Sequence, residues 1–126
     1  MSQWILLADD DEMVLNVSKA ILEHLGYEVL VARSGQETLE IFSKHRDIIH
    51  LIVLDYSMPD RDGCECLREI RKSSGTPALI MTGYGEDFAK HQRSNNLYQG
   101  VLFKPFDIDQ FREAILAILP KKRASA

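Results

Sequence analysis

An α/β fold built on a parallel sheet is the architecture this 126-residue sequence predicts. Three observations carry it. Short apolar runs alternate five times with longer segments of helical period. The run Leu51-Ile52-Val53-Leu54 is continuously apolar, as in a strand covered on both faces. Polar or charged residues then stand where these runs stop: Asp9 and Asp10, Asp55, Thr82 and Lys104.

The elements follow in order. Residues 4–8 form the first strand. Val14, Val17, Ile21 and Leu25 fall at helical spacing, and Gly26 is a C-terminal stop. Residues 27–32 are the second strand. Ser34 with Glu37 makes a capping box for a helix holding Leu39 and Phe42. The third strand is 51–55, Asp62 caps a helix running through Leu67 and Ile70, and Pro77 opens the fourth strand. A fourth helix is expected over 86–97, the weakest stretch, with Phe88, Ala89 and Leu97 inward. The fifth strand is 100–104. Asp107 caps a fifth helix with Ile108, Phe111, Ile115 and Leu119 on one stripe, and Pro120 ends it. No repeat, linker or low-complexity segment interrupts the series, so one domain over 1–126 is expected, with its core at about 4–119 and a tail at 120–126.

Composition narrows the function. With 45% apolar and 27% charged residues the chain reads as an ordinary soluble domain, and its formal charge of −4 argues against direct nucleic-acid binding. Lys121-Lys122-Arg123 lies past the last apolar position and reads as a solvated tail. Cys64 and Cys66 match neither a redox CxxC nor a zinc knuckle, and on a helix they point about 200° apart. They are expected as free thiols in a reducing cytoplasm. The N-terminal residues do not form a signal peptide, and no apolar run reaches the roughly 20 residues of a membrane helix. The four histidines show no metal-binding spacing.

The chemistry lies at the strand ends. In a parallel sheet the carboxyl ends of the strands lie together, so Asp10 and Asp55 can share one pocket although 45 positions separate them. Two unit charges about 4 Å apart repel by about 4 kcal/mol at an effective dielectric of about 20, so such a cluster calls for a cation. Carboxylate oxygens suit Mg²⁺. The bland reading of Asp9-Asp10-Asp11-Glu12 is helix capping, which suits Asp11 and Glu12; Asp9 and Asp10, at a buried strand's end, are candidate metal ligands. Asp55 is a candidate nucleophile, Thr82 a hydroxyl donor and Lys104 a point charge for a phosphoryl group. Alone, Asp55 and Thr82 could be turn residues, and Lys104 could extend to solvent.

In Leu7-Ala8-Asp9-Asp10-Asp11-Glu12, Val53-Leu54-Asp55-Tyr56-Ser57-Met58-Pro59-Asp60-Arg61-Asp62-Gly63, Ile80-Met81-Thr82-Gly83-Tyr84-Gly85 and Phe103-Lys104-Pro105-Phe106, the chain resembles the receiver domains of two-component response regulators. The resemblance covers residues 4–119. It implies a CheY-like, flavodoxin-like doubly wound sheet of order 2-1-3-4-5 with five helices on both faces. It also implies that Asp55 accepts a phosphoryl group from a histidine kinase or histidine phosphotransfer protein. Asp10, Asp55 and the backbone carbonyl of Ser57 would hold Mg²⁺, and Asp9 would act through a water. Lys104 would pair with Asp55, Thr82 would close on the phosphoryl group, and the Lys104–Pro105 bond would be cis. The domain would catalyse its own phosphorylation and dephosphorylation rather than act as an enzyme on other substrates. A downstream effector would be read by the fourth helix, fifth strand and fifth helix, and a homodimer is open. Ser57 and Tyr84 would tune the lifetime of the phosphorylated form. One departure is Val101, where receivers carry Tyr or Phe; with no ring to reorient, output is expected through shifts around 83–100.

Three rivals remain. A haloacid-dehalogenase-type phosphohydrolase would use Asp9 as nucleophile with Asp11 two residues on, but Met13 stands where Thr or Val is expected. A flavodoxin-like electron carrier would need a Ser/Thr/Gly phosphate loop where residues 9–15 are acidic. A protein-interaction module could keep the fold without being phosphorylated.

Overall fold

The computed structural model describes residues 2–83 and 97–119. Five strands, β1 (Trp4–Ala8), β2 (Glu28–Ala32), β3 (Ile49–Asp55), β4 (Ala78–Gly83) and β5 (Gly100–Lys104), form one sheet in the order β2-β1-β3-β4-β5. Every neighbouring pair is parallel. Among the described residues there are four helices: α1 (Glu12–His24), α2 (Gly35–His45), α3 (Gly63–Arg71) and α4 (Ile108–Ile118). The expected fourth helix lies on residues outside the described ones, apart from Leu97, which is buried. The expected fifth helix is α4.

The pleat sorts alternate strand residues into two cores. Leu6, Ile52, Leu54 and Ile80 pack under α2 and α3 with Phe42, Leu67 and Ile70. Ile5, Leu7, Leu51, Val53, Leu79 and Met81 pack under α1 and α4 with Leu15, Leu22, Phe111 and Ile115. Both faces of the sheet are therefore covered, which is why β3 reads as an unbroken apolar run.

The caps set where each helix begins. Asp11 accepts from the Met13 and Val14 amides, Ser34 from Glu37, Asp62 from Glu65 and Asp107 from Gln110. The last two are reciprocal boxes, with the Glu65 and Gln110 side chains returning to the cap amides. At α2 the expected box forms only by half, because Glu37 Oε1 accepts from the Arg33 amide. Gly26 stops α1 with φ +99°, a left-handed conformation that glycine adopts without a Cβ clash.

Two expected stripes shift. The inward residues of α1 are Leu15, Ser18 and Leu22, and Val17 is exposed. The apolar positions of α1 span a wide arc, and the serine inside it concealed which edge faces the sheet. In α4, Phe111 and Ile115 are buried while Ile108, at the first helical position, is 59% exposed.

Candidate functional site

Parallel pairing brings the carboxyl ends of β1, β3, β4 and β5 to one edge. Ala8 aligns with Leu54, Asp55 with Met81, and Thr82 and Gly83 with Phe103 and Lys104. The chain order reverses between β1 and β3, and the crevice at that switch point is the place where open parallel sheets bind ligands. Asp9 and Asp10 leave β1 there, and Asp55 ends β3.

These three carboxylates each offer an oxygen within 4.8 Å of the others. Asp9 is fully buried, Asp55 is 4% exposed and Asp10 faces solvent. Lys104 Nζ lies 2.8 Å from Asp9 Oδ2 and 3.1 Å from Asp55 Oδ1. The cation expected to serve Asp55 thus bridges two acids, with the shorter contact to Asp9. The other Asp9 oxygen accepts from the Asp11 amide at 2.8 Å. Thr82 is buried beside them, its hydroxyl 3.4 Å from the Gly83 carbonyl. The Lys104–Pro105 peptide is cis.

The balance of charge favours a further cation. Burial, then repulsion from Asp9, pushes the Asp55 carboxyl up to about 7, against the opposing pull of Lys104 and the Ser57 amide. Burial pulls the Lys104 ammonium down, yet the hydrogen bond to Asp9 and the charges of Asp55 and Asp9 outweigh it, so its pKa is raised. One ammonium against three converging carboxylates, two of them buried, leaves net negative charge at the site. A hard divalent cation fits this all-oxygen donor set.

Local packing aims Asp55. The Tyr56 amide donates to the Met81 carbonyl at 2.7 Å and the Gly63 amide to the Tyr56 carbonyl at 2.8 Å. A Cβ at Gly63 would lie 2.6 Å from the Asp55 carbonyl oxygen, so only glycine allows α3 to start this close to the end of β3. Gly63 closes the motif quoted from the sequence, but its position directly after the cap Asp62 gives no sign of this close approach. Ser57 is exposed on this loop, its amide toward the Asp55 carboxylate. Tyr84 lies outside the described residues, as does most of 83–100, where output was expected. Val101 is half-buried, opposite Ile80 and against the core under α3. Among the described residues no other cluster of three metal-ligating side chains occurs. Cys64 and Cys66 are buried free thiols.

A doubly wound parallel sheet with carboxylates, a hydroxyl and a lysine at its switch point defines an α/β domain with an acidic site suited to a cation. Comparison with known proteins makes the class specific. The family model for the response regulator receiver domain matches residues 5–116. Response regulator RR06 of Streptococcus pneumoniae is 35% identical over 116 residues, which is 91% of this chain and 52% of that protein. Sporulation initiation phosphotransferase F of Bacillus subtilis is 34% identical over 124 residues, 97% of this chain and 98% of that one. The crystal structure of a response regulator receiver domain protein from Clostridium thermocellum superposes with a TM-score of 0.84 at 31% identity, covering 93% of this chain and 94% of that one. The chain belongs to the response regulator receiver domain family, and its role is that of a two-component phosphorelay receiver. It spans about half the length of RR06 and the CpxR regulators, and nearly all of the Bacillus protein.

Proposed function

We propose that Asp55 is the phosphoacceptor of this receiver, and the observation that carries it is the convergence of the Asp9, Asp10 and Asp55 carboxylates at the switch point, with Lys104 bridging Asp9 and Asp55. The donor is a phosphohistidine on a histidine kinase or phosphotransfer protein. An Asp55 carboxylate oxygen attacks phosphorus, the P–N bond breaks, and the imidazole leaves with the electron pair and takes a proton. The products are an acyl phosphate and a neutral histidine. The attack requires Asp55 ionised, and Lys104 favours that form.

Asp10, Asp55 and the backbone carbonyl of Ser57 are the groups to hold Mg²⁺, with Asp9 acting through a water. The cation's contribution when bound is to neutralise charge on the acids and the transferring group. Asp9 suits this indirect role, since both its oxygens are already engaged by Lys104 and the Asp11 amide. That engagement also counts against Asp9 as a nucleophile, and so against the hydrolase reading. Thr82 closes on the phosphoryl oxygen and Lys104 moves to it. Ser57 sets access for the hydrolytic water, and the domain catalyses its own phosphorylation and dephosphorylation and is not an enzyme acting on others.

Contacts that exist only with the phosphoryl group bias a pre-existing equilibrium between two conformations. The readout surface combines the segment before β5 with β5 and α4, and its partner is an effector protein or domain; a homodimer through that face is the other form it could take. Val101 stands at the usual aromatic position, and the output route expected around 83–100 lies mostly outside the described residues. Residues from about 4 to 119 are the core of one receiver domain, which works in the cytoplasm. Among the described residues no helix is long and apolar enough to cross a membrane.

Intact mass after incubation with acetyl phosphate tests the reading. The expected result is one phosphoryl group on wild type, none on Asp55→Asn, and none without Mg²⁺. An Asp55→Asn protein that still takes up one phosphoryl group, or uptake abolished only by Asp9→Asn, would contradict it.

A further inference from the structure

The loop from Asp55 to the α3 cap Asp62 carries the groups that must surround the acceptor. Its ends are fixed by β3 and Tyr56 on one side and by the Asp62 box on the other. Its middle is tied elsewhere. The two carboxylate oxygens of Asp60 accept separately from the Gly35 amide at 2.8 Å and the Gln36 amide at 2.7 Å, the first two residues of α2. A second contact lies alongside: a Cβ at Gly35 would collide with Cγ of Arg61 and approach Cys66 Sγ at 3.0 Å. Glycine at position 35 therefore lets residues 60–61 seat directly on the start of α2.

Ser34 already caps α2 by accepting from the Glu37 amide. The Asp60 carboxylate takes amides that Ser34 does not reach, and it links two segments 25 residues apart. It also keeps a further negative charge on the α2 N-terminus, where helix polarity favours it, instead of in the acceptor cluster. The Gly35 amide foremost holds its carboxyl below the usual range, so the latch stays anionic at neutral pH.

Resting on the acceptor reading above, we propose that Asp60 is a positioning residue: by latching the 56–62 loop onto the N-terminus of α2, it sets where the Ser57 backbone stands beside Asp55 and so governs affinity for the divalent cation. Asp60 touches neither the phosphoryl group nor the cation. Its effect is carried along three residues of loop backbone, as outer partners commonly carry theirs.

The experiment compares wild type, Asp60→Ala, Asp60→Asn and Ser34→Ala by Mg²⁺ titration calorimetry, acetyl-phosphate phosphorylation rate and thermal midpoint. Asp60→Ala should weaken Mg²⁺ binding about tenfold. Its phosphorylation should slow at low Mg²⁺ and recover at saturating Mg²⁺. Asp60→Asn, which keeps one accepting oxygen, should fall between the two. Ser34→Ala removes a cap from the same helix and should lower the midpoint with Mg²⁺ affinity unchanged. Affinity of Asp60→Ala within about twofold of wild type, or an equal loss in Ser34→Ala, would overturn the proposal and leave Asp60 as a helix cap only. Wild type that takes up neither Mg²⁺ nor a phosphoryl group would overturn the acceptor reading itself, an outcome visible before any variant is compared.

Discussion

Asp55 concentrates the conflict that the site is built to resolve. Its carboxyl is buried, faces Asp9, and is pushed up to about 7 from the ordinary 3.8. The folded metal-free protein therefore holds that proton more tightly than the unfolded chain does. The sign follows: below about pH 4 the group costs nothing, stability falls as pH rises through the interval to about 7, and the full cost stands above it. Asp55→Asn removes the cost. In chelator, urea unfolding should find Asp55→Asn and wild type alike near pH 4, and the variant more stable by up to about 4 kcal/mol at pH 8. A difference that does not change with pH would mean that the charge of Asp55 is not what strains the fold. Much at this scale was legible in the sequence. Asp9, Asp10, Asp55, Thr82 and Lys104 announce themselves by closing apolar runs. That Lys104 bridges Asp9 and Asp55, with Asp9 nearer, was not legible, because a few tenths of an ångström are set by packing and not by sequence position.

Between elements, the decisive contact is the start of α3 against the end of β3. Gly63→Ala places a methyl 2.6 Å from the Asp55 carbonyl, and neither strand nor helix can yield without moving the acceptor. It should cost about 2 kcal/mol in urea unfolding and slow phosphorylation by acetyl phosphate. Gly75→Ala is the internal control: nothing lies within 4 Å of its added Cβ. It should be neutral or gain up to about 1 kcal/mol. Equal effects of the two substitutions would contradict the close approach. The elements themselves were legible from periodicity and caps, with α3 and α4 bounded by Asp62 and Asp107 as expected. The inward stripe of α1 was not, because Ser18 occupies a core position that hydropathy assigns to the surface. Contacts between distant segments, such as Asp60 on the α2 amides or the Arg33–Glu12 pair at 2.8 Å, leave no periodic trace in the sequence.

For the whole molecule, the strand order β2-β1-β3-β4-β5 gathers residues from opposite ends of the chain, and the cluster so formed is repelled unless a cation enters. Mg²⁺ should therefore stabilise the fold by about 1.4 kcal/mol at ten times its dissociation constant, growing with the logarithm of its concentration and raising the thermal midpoint accordingly, and Asp10→Ala should abolish the shift. Burial pushes the Cys64 and Cys66 thiols up to about 11 and about 12, so Ellman's reagent at pH 8 should label both only as fast as the domain opens. Rapid labelling of folded protein would contradict the packing of α3. The central claim, that the cluster exists to make Asp55 a phosphoacceptor, is tested most directly by reducing the acetyl-phosphate-treated protein with borohydride and sequencing its peptides. Acyl phosphate at Asp55 would be converted to homoserine at position 55 and nowhere else. Homoserine at Asp9 or Asp10, with Asp55 intact, would contradict the account.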